Sequence, residues 1–168
     1  MIAIDMPTHD VPNESGDDME FVSSWTPALE RKYGKELEAW AAVARTVLVE
    51  AAEAGKPITY REFYDRTAER LGVDKAPLMW RRWVSYVLEE VAHLDELHAE
   101  PLLTSLVLLV TDEEVNEPGY GHAVEIRYGF SPRKPADHAR AERRKVFHYF
   151  QTRYGRYNER YQGPKNQG

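Results

Sequence analysis

The sequence predicts a mostly helical α+β domain, and three observations carry that prediction. Apolar residues recur at three- and four-residue steps in four segments. Helix start and stop residues bracket those segments. One segment rich in leucine and valine, Leu102 to Val110, precedes a Pro118-Gly119 turn and an alternating stretch, Ala123 to Tyr128. That last pattern reads as two strands joined by a long acidic loop. At 168 residues the chain is expected to be one domain with tails.

Residues 1–24 hold six acidic and no basic residues, with Pro7, Pro12 and Gly16. They are expected to form a flexible acidic leader, because so little apolar surface cannot offset the entropy of ordering. Thr26-Pro27 then opens a first helix, with threonine as cap and proline in the first turn. Its stripe is Tyr33, Leu37, Trp40, Ala44, Val47, Leu48 and Ala51, and Gly55 and Pro57 stop it. Thr59 and Glu62 stand at capping-box spacing and begin a second helix, lined by Phe63, Thr67 and Leu71 and ended by Gly72. Pro77 opens a third, whose stripe is Trp80, Trp83, Val84, Val87, Leu88, Val91 and Leu94. Arg81, Arg82, Ser85, Tyr86 and Glu89 are expected on its outer side.

After the strand pair, Pro132 and Pro135 break the chain. A last helix is expected from about Ala136 to Tyr157, with Val146, Phe147, Phe150, Tyr154 and Tyr157 as its apolar stripe. The expected organisation is therefore leader 1–24, core domain 25–130, basic C-terminal helix 131–161 packing on that core, and disordered tail 162–168.

Composition removes several kinds of chemistry. There is no cysteine, so disulfides, thiolate metal sites and cysteine nucleophiles are excluded. The opening MIAIDMPTHD has no basic residue and no long apolar run, so no secretory signal is expected. The longest apolar stretch, Leu106 to Val110, falls far short of a membrane span. A cytoplasmic protein without a membrane partner is the expectation.

Charge is uneven. Residues 1–126 carry 11 Lys/Arg and 25 Asp/Glu; residues 127–168 carry 11 and 3. The two halves either attract each other in the fold, or the basic end serves a partner.

Helix, short extended piece, helix, helix, hairpin is the order of a winged-helix domain, with the third helix as reader and the hairpin as wing. The expected fold is thus a winged-helix-like three-helix core with a β-hairpin and an added C-terminal helix. Two resemblances accompany it. Ile58-Thr59-Tyr60-Arg61-Glu62-Phe63, Pro101-Leu102-Leu103-Thr104-Ser105-Leu106-Val107, Pro118-Gly119-Tyr120-Gly121 and the closing Glu142 to Tyr149 resemble a pattern in small uncharacterised bacterial and phage proteins. That likeness covers about residues 35–150 and implies no activity. The Thr59-Tyr60 start and the helix–helix–hairpin order are also similar to the DNA-binding domain of alkylguanine-DNA alkyltransferases. That family uses a Pro-Cys-His-Arg motif, where this chain reads Pro101-Leu102-Leu103-Thr104. Alkyl transfer is excluded, and the likeness implies DNA binding alone.

No catalytic set converges. Glu90-x-x-His93 has half the spacing of a carboxylate di-metal site, with no second copy. Ser105 lacks a nucleophile elbow, and nothing pairs Ser131 with His138. Pro118-Gly119-Tyr120-Gly121 lacks the lysine and helix start of a phosphate loop. Glu89-Glu90, Asp95-Glu96 and Asp112-Glu113-Glu114 read as solvated faces. A non-catalytic protein is expected, with no cofactor and no metal.

Nucleic-acid binding is the most concrete expectation. Arg81, Arg82, Ser85 and Tyr86 would enter a groove, and Arg140, Arg143, Arg144, Lys145, Arg153 and Arg156 would meet phosphates. Tyr149, Tyr154 and Tyr157 would stack on bases. A DNA-binding regulator or accessory factor follows. Asp112, Glu113, Glu114 and Glu117 on the wing oppose it, since acids repel phosphate. These four, with the leader, support the alternative of a protein-interaction module, a phage- or defence-related adaptor. A second copy of the chain, giving a homodimer, is a further candidate partner.

Overall fold

The computed structural model describes residues 25–110 and 114–162, with side chains as far as Thr152. The expected leader, the tail from 163 onward, Asp112 and Glu113, and the side chains of Arg153, Tyr154, Arg156 and Tyr157 lie outside the described residues.

The chain runs α1 (Pro27–Ala54), β1 (Ile58–Thr59), α2 (Tyr60–Leu71), α3 (Trp80–His98), a 3-10 turn (Leu103–Leu106), β2 (Val107–Leu108), α4 (Glu117–Tyr128) and α5 (Pro135–Gln162). It is mostly helical, with one two-stranded sheet. The expected caps are present. Thr26 accepts the Leu29 amide at 3.1 Å and Thr59 accepts the Glu62 amide at 3.2 Å. Each such cap is worth about 1 kcal/mol. α1 runs unbroken through Gly34.

The core forms where the stripes of α1, α2 and α3 meet. Trp40, Val47, Leu48, Phe63, Trp83 and Val87 are all buried in it. Trp83 is wholly enclosed, with Trp40 and Tyr33 edge-on to its ring at 6.0 and 6.2 Å. α5 belongs to this core, through Val146 and Phe150. A second cluster, with Leu102, Leu108, Val115, Tyr120 and Val124, joins α4 to the rest.

The expected hairpin is overturned. Residues 102–106 are not strand but lead into and form the 3-10 turn, and only Val107 and Leu108 extend. They pair in parallel with Ile58 and Thr59, not with 123–128. The segment read as the returning strand is α4. Asn116 caps it, accepting the Gly119 amide at 3.1 Å, and Pro118 sits in its first turn. The alternation of Val124, Ile126 and Tyr128 spans only three positions. Helical steps place Tyr120, Ala123 and Val124 on the buried face equally well, and the cap decides. With no such hairpin, the chain has no wing built from these two segments.

α3 also starts at Trp80 rather than Pro77, and ends with Ala99 in the left-handed region at φ 57. A side chain there costs roughly 1–2 kcal/mol. The turn is held by the Glu100 amide, which donates to the Asp95 carbonyl at 3.0 Å. That turn aims Glu100 back into the protein.

Candidate functional site

Three places gather chemistry-bearing side chains: a buried carboxylate network, the start of α3, and a pocket between α3 and α4.

The network surrounds the segment from Glu100 to Ser105. Asp95, Glu100 and Glu142 are all buried. Asp95 accepts the Leu103 amide and Glu142 the Leu102 amide, each at 2.9 Å. These two carboxylates satisfy amides at the start of the 3-10 turn, where negative charge is favoured. Glu142 also accepts from the Tyr128 hydroxyl. Arg45 pairs with Glu100, and its Nε lies 3.7 Å from Asp95 Oδ1. Tyr149 donates to Glu100 at 3.0 Å, and Arg127 donates to the Glu100 carbonyl at 2.7 Å. Burial pushes the Asp95 carboxyl up to about 7, against the pull of the Leu103 amide and Arg45. Asp95 therefore corrects the reading of Asp95-Glu96 as a solvated face. Tyr149 is half-buried, with its hydroxyl turned to Glu100.

The basic helix is changed by the same packing. Arg143 donates to the Ser105 carbonyl at 2.8 Å and to Glu114 at 3.1 Å, and its side chain is 13% exposed. Arg140 reaches Glu114 at 3.1 Å and also pairs with Asp137. Glu114, expected to meet a partner, is thus clamped by two arginines of α5, which hold its carboxyl below the usual range despite its burial. Lys145 lies 3.5 Å from Glu142 and 5.7 Å from the Tyr128 ring centroid. Of the expected phosphate contacts, Arg144 stands exposed on the outer face of α5. Glu117 is exposed in the first turn of α4.

The start of α3 is different. Met79 occupies the cap position and offers no side-chain hydrogen bond. Trp80 is half-buried, not core, and two guanidiniums lie over it. Arg61 from α2 is 5.1 Å from its ring centroid and Arg81 is 5.2 Å away. Arg81 and Arg82 are exposed as expected. Tyr86 is not: it is buried against Trp25, with its hydroxyl accepting from Arg82 Nε at 3.3 Å. A tyrosine on the third helix's outer side thus belongs to the core, because Trp25, ahead of α1, folds over it. Ser85 donates to the Arg81 carbonyl at 3.3 Å and also lines the pocket.

That pocket is a small, partly open cleft between α3 and α4. Leu88, Val107, Val115 and Ala123 give it apolar walls, and Tyr60 and Tyr120 aromatic ones. Burial holds the Tyr60 hydroxyl protonated, pushed up to about 12, with Arg81 opposing. Glu89 and His122 bring the charge: His122 Nε2 lies 3.5 Å from Glu89 Oε2 and its Nδ1 3.6 Å from Glu125 Oε1. Thr104 lines the same space, is 5% exposed, and its Oγ1 has no hydrogen-bond partner. An unpaired buried hydroxyl costs about 1–3 kcal/mol. Among the described residues, no group of three or more His, Cys, Asp or Glu could hold a metal ion.

Sequence reasoning missed Asp95, Glu142, Thr104 and His122 as members of sites. Only the first two left a signal. Asp95 continues the steps of Val84, Val87 and Val91, and Glu142 lies between Ala139 and Val146 on one stripe. A carboxylate on an apolar stripe is a buried carboxylate.

No family model matches the chain, no curated protein matches it, and no solved structure matches its fold. No helix among the described residues is long and apolar enough to cross a membrane.

Proposed function

We propose that the chain is a non-catalytic nucleic-acid-binding protein, a regulator or accessory factor, that meets the phosphate backbone with the start of α3. One observation carries this reading. The uncapped first turn of α3 carries exposed Arg81 and Arg82, and Arg61, which also pairs with Asp65, lies with Arg81 over a half-buried Trp80. Unsatisfied first-turn amides and the helix dipole favour an anion there. Guanidiniums add charge and fork-shaped donors that suit phosphate oxygens.

This reading differs from a winged helix in two respects. No wing is required. The link from α2 to α3, residues 72–79, is also longer than the roughly 3–4-residue turn of a helix-turn-helix. α5 contributes less than its composition suggests, since Arg140 and Arg143 already hold Glu114.

The test is binding of the full-length protein to a random-sequence duplex across a salt titration. Affinity should fall steeply with salt. The triple substitution Arg61→Ala, Arg81→Ala, Arg82→Ala should weaken binding and flatten the slope by about 2–3. Arg144→Ala should change the slope by no more than about 1. No binding at low salt would sink the reading and send the search to a protein partner. A triple variant that binds like the parent would sink the residue assignment.

A further inference from the structure

We propose that the pocket between α3 and α4 binds a small primary amine with an apolar body, its ammonium group seated between Glu89 and Thr104. The inference is independent of nucleic-acid binding, because the exposed guanidiniums of Arg81 and Arg82 do not line this pocket.

The pocket is selective by what it lacks. Its walls carry neither lysine nor arginine, so an anionic ligand would find no fixed positive partner. The acidic group that lines it is Glu89, and the imidazole facing that carboxylate also has Glu125 on its other side. A cation is favoured near that carboxylate, the one acidic side chain in the pocket wall.

Thr104 makes the case specific. Its hydroxyl oxygen is buried without a partner in a residue that borders the empty space. A buried polar group of this kind is ordinarily paired, and the pocket is where a donor can arrive. An ammonium carries three donors and no acceptor. It can donate to the carboxylate and the hydroxyl together and brings a positive charge to Glu89, whereas an alcohol, which can donate to Glu89 and accept from Thr104, brings none. Leu88, Val107 and Val115 then cover the hydrocarbon part, as pockets for small ligands generally do with apolar walls and few polar groups.

The probes are 3-methylbutylamine and 2-phenylethylamine, each with its matching alcohol and its matching carboxylate. Methyl-detected NMR on the full-length protein reports binding through Leu88, Val107 and Val115. At least one amine should shift these methyls saturably at millimolar concentration, about tenfold more tightly than its alcohol. The carboxylates should shift nothing. Glu89→Gln should bring the amine to the alcohol's affinity, leaving the alcohol unchanged. Thr104→Val should weaken the amine and, by removing an unpaired hydroxyl, leave the fold no less stable. The proposal is overturned if neither amine moves these methyls, if amine and alcohol bind alike, or if Glu89→Gln leaves their difference intact. Should Glu89→Gln fail to fold, Thr104→Val decides: weaker amine binding upholds the site, and unchanged binding overturns it.

Discussion

Arg81-Arg82 and Arg143-Arg144 are the same dipeptide on two helices, and the fold puts them to different uses. At the start of α3 both arginines are exposed, one over Trp80 and the other against the Tyr86 hydroxyl. On α5 the pair is split. Arg143 is drawn inward to the Ser105 carbonyl and Glu114, while Arg144 stays outside. The difference comes from what lies opposite. α5 packs on a segment that brings its own carbonyl and carboxylate, so a long side chain there closes a network. At the start of α3 Arg61 pairs with Asp65 of its own helix, and both of those side chains are exposed, while Arg81 and Arg82 lie on the surface. Counting cations along a sequence therefore measures supply, and tertiary packing decides how much remains for a partner.

The comparison breaks most severely at Glu142, the buried anchor beside Arg143. Glu142→Ala removes the acceptor of both the Leu102 amide and the Tyr128 hydroxyl. Two buried donors without partners should cost about 3–5 kcal/mol. Urea denaturation followed by circular dichroism measures this. A loss below about 1 kcal/mol, the range of a surface change, would mean that α5 is held by Val146 and Phe150 alone.

Asp95 sharpens the contrast through pH. Burial raises its folded value to about 7, whereas the unfolded chain releases the proton near pH 4. Between these values the folded state binds more protons than the unfolded state. The contribution of Asp95 to stability is therefore complete below about pH 4 and is lost as pH rises through about 7. Its size is of order 4 kcal/mol. Asp95→Asn keeps an oxygen for the Leu103 amide and removes the titration. The stability difference between Asp95→Asn and the parent should grow in favour of asparagine from pH 4 to pH 8, measured as urea midpoints. A difference that stays level with pH would contradict the protonated state.

How much of this was legible depended on the range of the interaction. Thr26 and Thr59 were readable because a cap acts over three residues, and the stripes of α1 and α3 because periodicity is local. Ala123–Tyr128 was misread because three alternating apolar residues fit a strand and a helix alike, and the deciding cap, Asn116, lies seven residues upstream of Ala123. The pocket was not legible at all. Glu89, Thr104 and His122 come from three separate elements, and none has a spacing that points to the others. The two arginine pairs were equally opaque, since Ser105 and Glu114, which claim Arg143, are 38 and 29 residues away from it.

The smallest effect tests those pairs directly. Arg143→Ala leaves the Ser105 carbonyl without its donor and loosens Glu114, which keeps Arg140. The expected cost is about 2 kcal/mol, or a melting temperature lower by about 5 °C in a domain of this size. Arg143→Lys should not restore it, because a single ammonium cannot span both acceptors as the guanidinium fork does. Arg81→Ala, Arg82→Ala and Arg144→Ala should each stay within about 0.5 kcal/mol of the parent. Salt-dependent binding should order the same variants the other way, with Arg81→Ala and Arg82→Ala losing affinity and Arg143→Ala keeping its slope. If Arg143→Ala left stability intact and flattened the salt dependence, its contacts to Ser105 and Glu114 would be incidental, and α5 would be the phosphate-binding surface.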